Sequence, residues 1–389
     1  MSSPAKQAQS PTPEAQSPKG KGKGKSPTPG PASPVGKKSP TPAPVSPAAD
    51  DSSEPVGLLS GSHWGEQDVD DDNDSTLGSD VESSTASISS SILQYRTLHG
   101  RTFHSDSVTD GEYWGPNDAK ANELLDIFHH TMTMALDGKL YTAPLKEDIK
   151  TALDVGTGSA SPFSYSDFGD EFPRCNVIGT DISPSQPSWV PPNVRFEVDD
   201  ASKEWTFQEN FFDYVHIRWL TGTIRDWPAL YKEAFKCTKP GGWIEHVDAD
   251  ARIHCHDGTM PDDSAFGQWG PIWKAVGGHI GTEFDLPSSG IMERGLEEAG
   301  FTNIECEDLV IPLSPWAEDP KMKQLGLYNL AAMTHDIEGF LSYLMPTYLG
   351  WEAKDIANYA ATARREYKEG MIHANIRWRI VKAQKPLDA

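Results

Sequence analysis

The residues best suited to chemistry are acids and glycines set close together. Thr151-Ala152-Leu153-Asp154-Val155-Gly156-Thr157-Gly158 reads as a buried apolar strand that ends in an acid and breaks into a glycine turn. Further on, Asn176-Val177-Ile178-Gly179-Thr180-Asp181 reads as a second buried strand that also ends in an acid. Glycine turns have no Cβ to hold a ligand away, so backbone N–H groups can approach it closely. An acid at the tip of the following strand commonly receives ribose hydroxyls, which is the role expected of Asp181. Asp199-Asp200-Ala201 closes a third strand. There the Asp200 carboxylate can accept from an adenine amino group while the Ala201 N–H donates to the ring. Asp154, Gly156, Gly158, Asp181, Asp200 and Ala201 together describe a nucleoside-cofactor site. A fourth strand is expected to deliver Asp213, His216 and Arg218 towards the same edge. His216 is the candidate general base, with a pKa range suited to that work; a histidine packed at the sheet edge and hydrogen-bonded locally is the other reading. A nicotinamide site would want G-x-G-x-x-G, and Ser161 occupies the third position.

These residues need a sheet to position them. Strands are predicted at 151–155, 176–180, 194–198, 212–217, 243–247, 304–311 and 375–382, with helices at 227–237 and 291–299, the latter stopped by Gly300. Leu124, Leu125, Ile127, Phe128, Thr131 and Met132 recur at helical spacing after a cap at Asn117-Asp118 and are read as core. Residues 316–372 read as a helical insert. Strands alternating with helices imply an α/β fold, a doubly wound, seven-stranded, mostly parallel sheet. Ligands of such a sheet bind outside the carboxyl ends of its strands, where strand order reverses. Trp219, Trp243 and Trp269 are candidates for the wall of an acceptor pocket, or for core.

Residues 1–92 are expected to form a disordered tail. Pro, Ser, Gly, Lys and then Asp dominate there, with too few large apolar side chains to offset backbone ordering at about 1–2 kcal/mol per residue. Ser10-Pro11-Thr12-Pro13, Ser26-Pro27-Thr28-Pro29 and Ser39-Pro40-Thr41-Pro42 recur in it as candidate proline-directed phosphorylation sites near a Lys-Gly run at 19–25. Residues 93–389 form the expected folded domain. The net charge of −23 argues against direct nucleic-acid binding, which needs cations to displace counterions. Four scattered cysteines without a C-x-x-C pair fit a reducing compartment. His254-Cys255-His256 lacks a second cluster with ligand spacing, so no metal site is expected. No apolar run reaches bilayer-spanning length, and the amino terminus lacks the apolar core of a secretory signal. The expectation is an intracellular protein, cytoplasmic or nuclear, with no membrane partner.

The motifs are also linked in a recognisable way. Leu153 to Gly158, then Val177-Ile178-Gly179-Thr180-Asp181-Ile182-Ser183-Pro184 and Trp189-Val190-Pro191-Pro192-Asn193, are followed by Phe212-Asp213-Tyr214-Val215-His216-Ile217-Arg218 and Lys239-Pro240-Gly241-Gly242-Trp243. With Gly111-Glu112-Tyr113-Trp114-Gly115-Pro116-Asn117-Asp118 upstream, this series resembles the LaeA-like fungal S-adenosylmethionine-dependent methyltransferases over roughly residues 93–386. The resemblance implies the class I methyltransferase fold, S-adenosyl-L-methionine as cofactor, and contacts to it from Asp154, Gly156, Gly158, Asp181 and Asp200. It adds Tyr113 and Asn117 as residues lying over the cofactor. It also implies a small-molecule or protein methyl acceptor and a link to regulation of fungal secondary metabolism or development, with regulatory protein partners recruited through the tail.

One departure stands out. The family pattern after the first strand is G-T-G-T-G-I-W, whereas this chain has Gly156-Thr157-Gly158-Ser159-Ala160-Ser161-Pro162. A Cβ at Ala160 is unfavourable if that position needs positive φ, and Pro162 is tolerated as a first helical residue. A loop repacked around the same cofactor, a weakened site and a misplaced splicing boundary all account for it. Three functions therefore stand side by side: an active methyltransferase, a non-catalytic scaffold on the same fold, and a dehydrogenase.

Overall fold

The computed structural model describes residues 57–67, 94–105, 109, 113–158, 162–186 and 190–389, with the backbone alone for 162–166. Ahead of the main sheet come a short helix α1 (Gly61–Gly65), a hairpin of β1 (Arg96–Leu98) and β2 (Arg101–Phe103), and the long helix α2 (Ala119–Ala135). Strands and helices follow as β3 (Thr151–Val155), α3 (Pro162–Glu171), β4 (Asn176–Asp181), β5 (Val194–Val198), β6 (Phe212–Arg218), α4 (Trp227–Cys237) and β7 (Thr238–Ala249). Helices α5 (Ala265–Ile280), α6 (Leu286–Ser289) and α7 (Ile291–Ala299) lead to β8 (Thr302–Pro312). A helical insert of α8 (Pro320–His335), α9 (Ile337–Leu341), α10 (Leu344–Tyr348) and α11 (Ala353–Glu369) precedes the last strand, β9 (Asn375–Gln384).

From β3 onward the strands line up as β5-β4-β3-β6-β7-β9-β8, and only β9 runs against the rest. This is the doubly wound, mostly parallel sheet that the alternation predicts. Leu153, Val155, Ile178, Val215 and Ile217 pack on one face against Leu230, Tyr231 and Leu296 of α4 and α7. Ala152, Val177 and Tyr214 pack on the other against Phe168 and Phe172 of α3. Both faces are covered, so the strands read as apolar runs rather than as strict alternation. After β5 the chain returns to the far side of β3, so the direction of winding switches between β3 and β6. The crevice outside those two strand ends is the place such a sheet offers a ligand. Arg101 anchors the layer above it. Its guanidinium pairs with Asp118, the N-cap of α2, and with Asp336 ahead of α9.

Among the described residues, 57–67 of the expected tail are folded. Gly57 to Gln67 lies against α5 and α11, with Trp64 only 1% exposed. A Cβ at Gly65 would overlap the Asp355 carboxylate and one at Gly61 would lie 2.8 Å from it, so α1 rests directly on α11. Asn358 donates to the carbonyls of Trp64 and Gln67, and Gln268 accepts from the Leu59 N–H while donating to the Gly57 carbonyl. The phosphorylation candidates and the Lys-Gly run lie outside the described residues. Removing a buried tryptophan side chain costs about 3–5 kcal/mol. Trp64→Ala is therefore expected to lower the urea-unfolding free energy of the full chain by about 3 kcal/mol, and a loss below about 0.5 kcal/mol would show that α1 adds nothing.

The fourth-strand expectation also needs correction. Asp213 sits at the start of β6, where it accepts from Lys150 N–H, Thr151 N–H and Lys239 Nζ, so it is at the opposite end of the sheet from the crevice. His254 lies 3.4 Å from Asp250, and the Cys255 thiol donates to Asp257. Among the described residues no group of three or more His, Cys, Asp or Glu could hold a metal ion, and no helix is long and apolar enough to cross a membrane.

Candidate functional site

The glycine turn is fixed by the strand beside it. Gly156 and Thr157 N–H groups both donate to the Thr180 carbonyl at 2.9 Å, and the Gly158 N–H donates to Asp181 Oδ2 at 2.8 Å. Gly156 and Gly158 take φ of 71° and 65°, which L side chains rarely adopt. Asp181 accepts from the Ser183 N–H through its other oxygen, also at 2.8 Å. One carboxylate thus holds the loops after β3 and β4 together. Burial pushes its pKa up to about 6 against those hydrogen bonds, with the Asp154 charge adding to the rise.

A cavity of about 170 Å³ opens over this turn. Of the residues singled out in the sequence, Asp154, Gly156, Gly158, Asp181, Asp200, Ala201 and Tyr113 line it. Asp200 accepts from the hydroxyls of Thr109 and Ser202, both at 2.6 Å. Burial raises the Asp200 pKa, but these donors outweigh it and the carboxyl stays below its usual range. Tyr113 is enclosed, and burial followed by the nearby Asp181 charge raises its phenol. The loop departure at Ser159 to Ser161 lies outside the described residues, while α3 does begin at Pro162.

Two expected residues are placed elsewhere. Asn117 does not line the cavity; its N–H donates to the Thr102 carbonyl, and its side-chain amide is buried. His216 does not line it either. The parallel register sets His216 beside Asp154, and its Nδ1 is hydrogen-bonded to that carboxylate. It faces instead a smaller space of about 40 Å³, shared with Tyr141, Phe168 and Tyr214.

The other half of the cavity comes from a stripe of α2 and from Trp378, which the sequence reading did not assign to it, and from Trp219, which it offered as a pocket wall. Leu125, Phe128, His129 and Met132 form one stripe of α2 at helical spacing and line the ligand space; Phe128 and Met132 also belong to the buried core, as read from the sequence. Trp219 follows β6 with φ of 63°, held by its N–H on the Val247 carbonyl and by the Leu220 N–H on the buried Asp248. A tryptophan in the left-handed region is an outlier that surrounding structure must impose. Here it sets the indole between Phe128 and Trp378, with ring centroids 4.4 and 4.3 Å away. These three rings wall the cavity. Trp269, by contrast, is core between α5 and α11, and Trp243 packs beside α3. The signal for α2 was present as a histidine within its apolar stripe.

The donor set therefore has a direction. Acids and a backbone N–H on the β4 and β5 side suit the hydroxyls and amino group of a nucleoside, with Gly156 and Gly158 beneath. Asp154, an arginine and an aromatic wall lie on the β6 side. That arrangement fits an adenosyl group carrying a charged amino-acid end.

Comparison with known proteins points the same way. A family model described as a methyltransferase domain matches residues 128–306. The methyltransferase pytC of Aspergillus terreus is 35% identical over 308 residues, covering 79% of this chain and 93% of the relative. The secondary metabolism regulator LAE1 of Cochliobolus heterostrophus is 29% identical over 294 residues, covering 74% and 94%. The protein-methionine methyltransferase laeA of Emericella nidulans is 28% identical over 296 residues, covering 76% and 77%.

Proposed function

Because the chain belongs to the LaeA-like fungal methyltransferases, we propose that its cavity takes S-adenosylmethionine across the edges of β5, β4, β3 and β6. The protein is an S-adenosylmethionine-dependent methyltransferase linked to fungal secondary metabolism. The observation that carries the site reading is the carboxylate of Asp181, which ties the glycine turn to β4 and lines the cavity. Asp181 takes the ribose hydroxyls, Asp200 and the Ala201 N–H take the adenine edge, and Tyr113 covers them. Gly156 and Gly158 let the backbone pass beneath, and Asp154 takes the ammonium group.

The cofactor supplies an electrophilic methyl group on a sulfonium. The chain's task is to hold an acceptor nucleophile in line with it, and such positioning contributes about 7–11 kcal/mol. Phe128, Trp219 and Trp378 present ring faces that attract a cation and keep water from it. His216 acts as a positioning residue. It holds Asp154 rather than taking a proton from an acceptor in the main cavity. His216→Phe is accordingly expected to raise the cofactor KM about tenfold with kcat changed less than threefold, a split read from steady-state kinetics. A large kcat loss with KM unchanged would restore the general-base role.

The methyl acceptor is a small metabolite or a protein side chain. The Ser-Pro and Thr-Pro repeats before residue 57 support recruitment of regulatory protein partners through the tail, in the cytoplasm or nucleus. Incubating the full chain with methyl-labelled cofactor and fungal extract, then separating protein from small molecules, tests the reading. Label in either fraction is the expected result. Label in neither, with cofactor bound, favours the scaffold.

A further inference from the structure

Arg218 is the arginine lining the cavity that the cofactor assignments above leave unused. It ends β6 at the winding switch, is half-buried, and lines both the main cavity and the smaller space behind it. A guanidinium has five N–H donors and no acceptor. Among the described residues, Arg218 makes one hydrogen bond, donating from Nη2 to His129 Nδ1 at 3.0 Å, and no ion pair. Because arginine can only donate, His129 accepts at Nδ1 and is neutral, with its proton on Nε2. Burial and then the positive charge of Arg218 push the His129 pKa down to about 3, which keeps it an acceptor under ordinary conditions. Asp154 is the acid whose charge acts most strongly on Arg218; that carboxylate bonds His216 and Thr157 and makes no ion pair with the guanidinium among the described residues, which leaves it accepting capacity for a ligand cation. A half-buried cation at a cavity wall with one neutral partner is placed to receive an anion.

The order of residues along the sheet edge says which anion. Asp200 follows β5, Asp181 ends β4, the glycine turn follows β3, and Arg218 ends β6. A nucleoside lying on the first two places its substituent at the β3–β6 crevice. We propose that Arg218, held in place by His129, takes the carboxylate of the cofactor's amino-acid end, while Asp154 beside it takes the ammonium. The assignment rests on the cofactor reading above and deepens it. The pair of opposite charges reads a zwitterion, and the planar guanidinium suits a carboxylate through two parallel N–H bonds.

Calorimetry on the full chain with three probes tests it: S-adenosylhomocysteine, its decarboxylated analogue that keeps the amine, and 5′-methylthioadenosine, which lacks the amino-acid end. In the unaltered protein, loss of the carboxylate is expected to weaken binding at least thirtyfold. In Arg218→Met that difference collapses to less than threefold, while 5′-methylthioadenosine binds both proteins alike. Arg218→Lys, which keeps charge without the fork, should retain part of the discrimination. Equal binding of the first two probes by the unaltered protein overturns the proposal and needs no variant to be folded. Discrimination that survives in Arg218→Met also overturns it and would leave Arg218 for an anionic acceptor. Absence of binding by all three probes would instead overturn the cofactor reading itself.

Discussion

Gly156→Ala is expected to abolish measurable cofactor binding, with a dissociation constant raised at least a hundredfold, and to lower thermal stability. Two costs combine at this position. A φ of 71° is strained by about 1–2 kcal/mol for an L side chain. The added Cβ would also overlap the Leu220 side chain, and overpacking of that kind costs about 1–3 kcal/mol. Leu220 lines the cavity, so its displacement narrows the ligand space directly. At Gly158 the strain is similar, with φ of 65°, but a Cβ would meet only Leu125 at 3.4 Å. Gly158→Ala should therefore unfold at a higher temperature than Gly156→Ala. Calorimetric titration and a thermal melt check both statements. Gly156→Ala binding within threefold of the unaltered protein would show that the turn does not underlie the site.

The second large effect is at Asp181, and it has a pH signature. Asp181→Ala leaves the buried N–H groups of Gly158 and Ser183 without their acceptor, at about 1–3 kcal/mol each, and removes the proposed ribose contact. Binding should fall at least a hundredfold. In the unaltered protein the carboxyl has its pKa pushed up to about 6 by burial, with Asp154 facing it from β3. Protonation turns the acceptor into a donor, so affinity is expected to fall up to tenfold per pH unit below about 6. The contribution of this group to the stability of the unliganded fold has the opposite sign. Its folded pKa lies above the unfolded value of 3.8, so that contribution is fully present below 3.8 and is lost as pH rises through about 6. His129, pushed down to about 3, stays neutral across that window. Asp181→Asn should bind weakly at every pH and lose this Asp181-linked dependence. An unaltered protein whose affinity is flat from pH 5 to 8 would contradict the role of Asp181.

How much of this was legible in the chain depended on how local the cause was. Helices α4 and α7 begin and end where the sequence says, because Asp226 caps one and Gly300 stops the other. The central strands are apolar runs bounded by turn residues and were readable for the same reason. Helix α5 was not. Its four glycines, Gly267, Gly270, Gly277 and Gly278, with Pro271 among them, weaken the helical signal there. Burial of Phe266, Trp269, Ile272, Trp273 and Val276 overrides that weak propensity. The docking of α1 depends on a groove made by helices distant in sequence, which no local pattern announces. The acids and glycines of the site were legible from their place at strand ends. For His216 the sequence left two readings open, a general base or a locally hydrogen-bonded residue, because strand position alone does not say which space a side chain faces. In the fold it pairs in register with Asp154, bonds that carboxylate and lines the smaller space. Arg218, two residues on, reaches both spaces because it stands at the end of the strand.

The most direct test of the account is a calorimetric titration of the full chain with S-adenosylmethionine, with NADH as the competing ligand. Saturable one-to-one binding, undisturbed by NADH, is the predicted result. No heat at millimolar S-adenosylmethionine, or displacement of it by NADH, would contradict the assignment of this cavity.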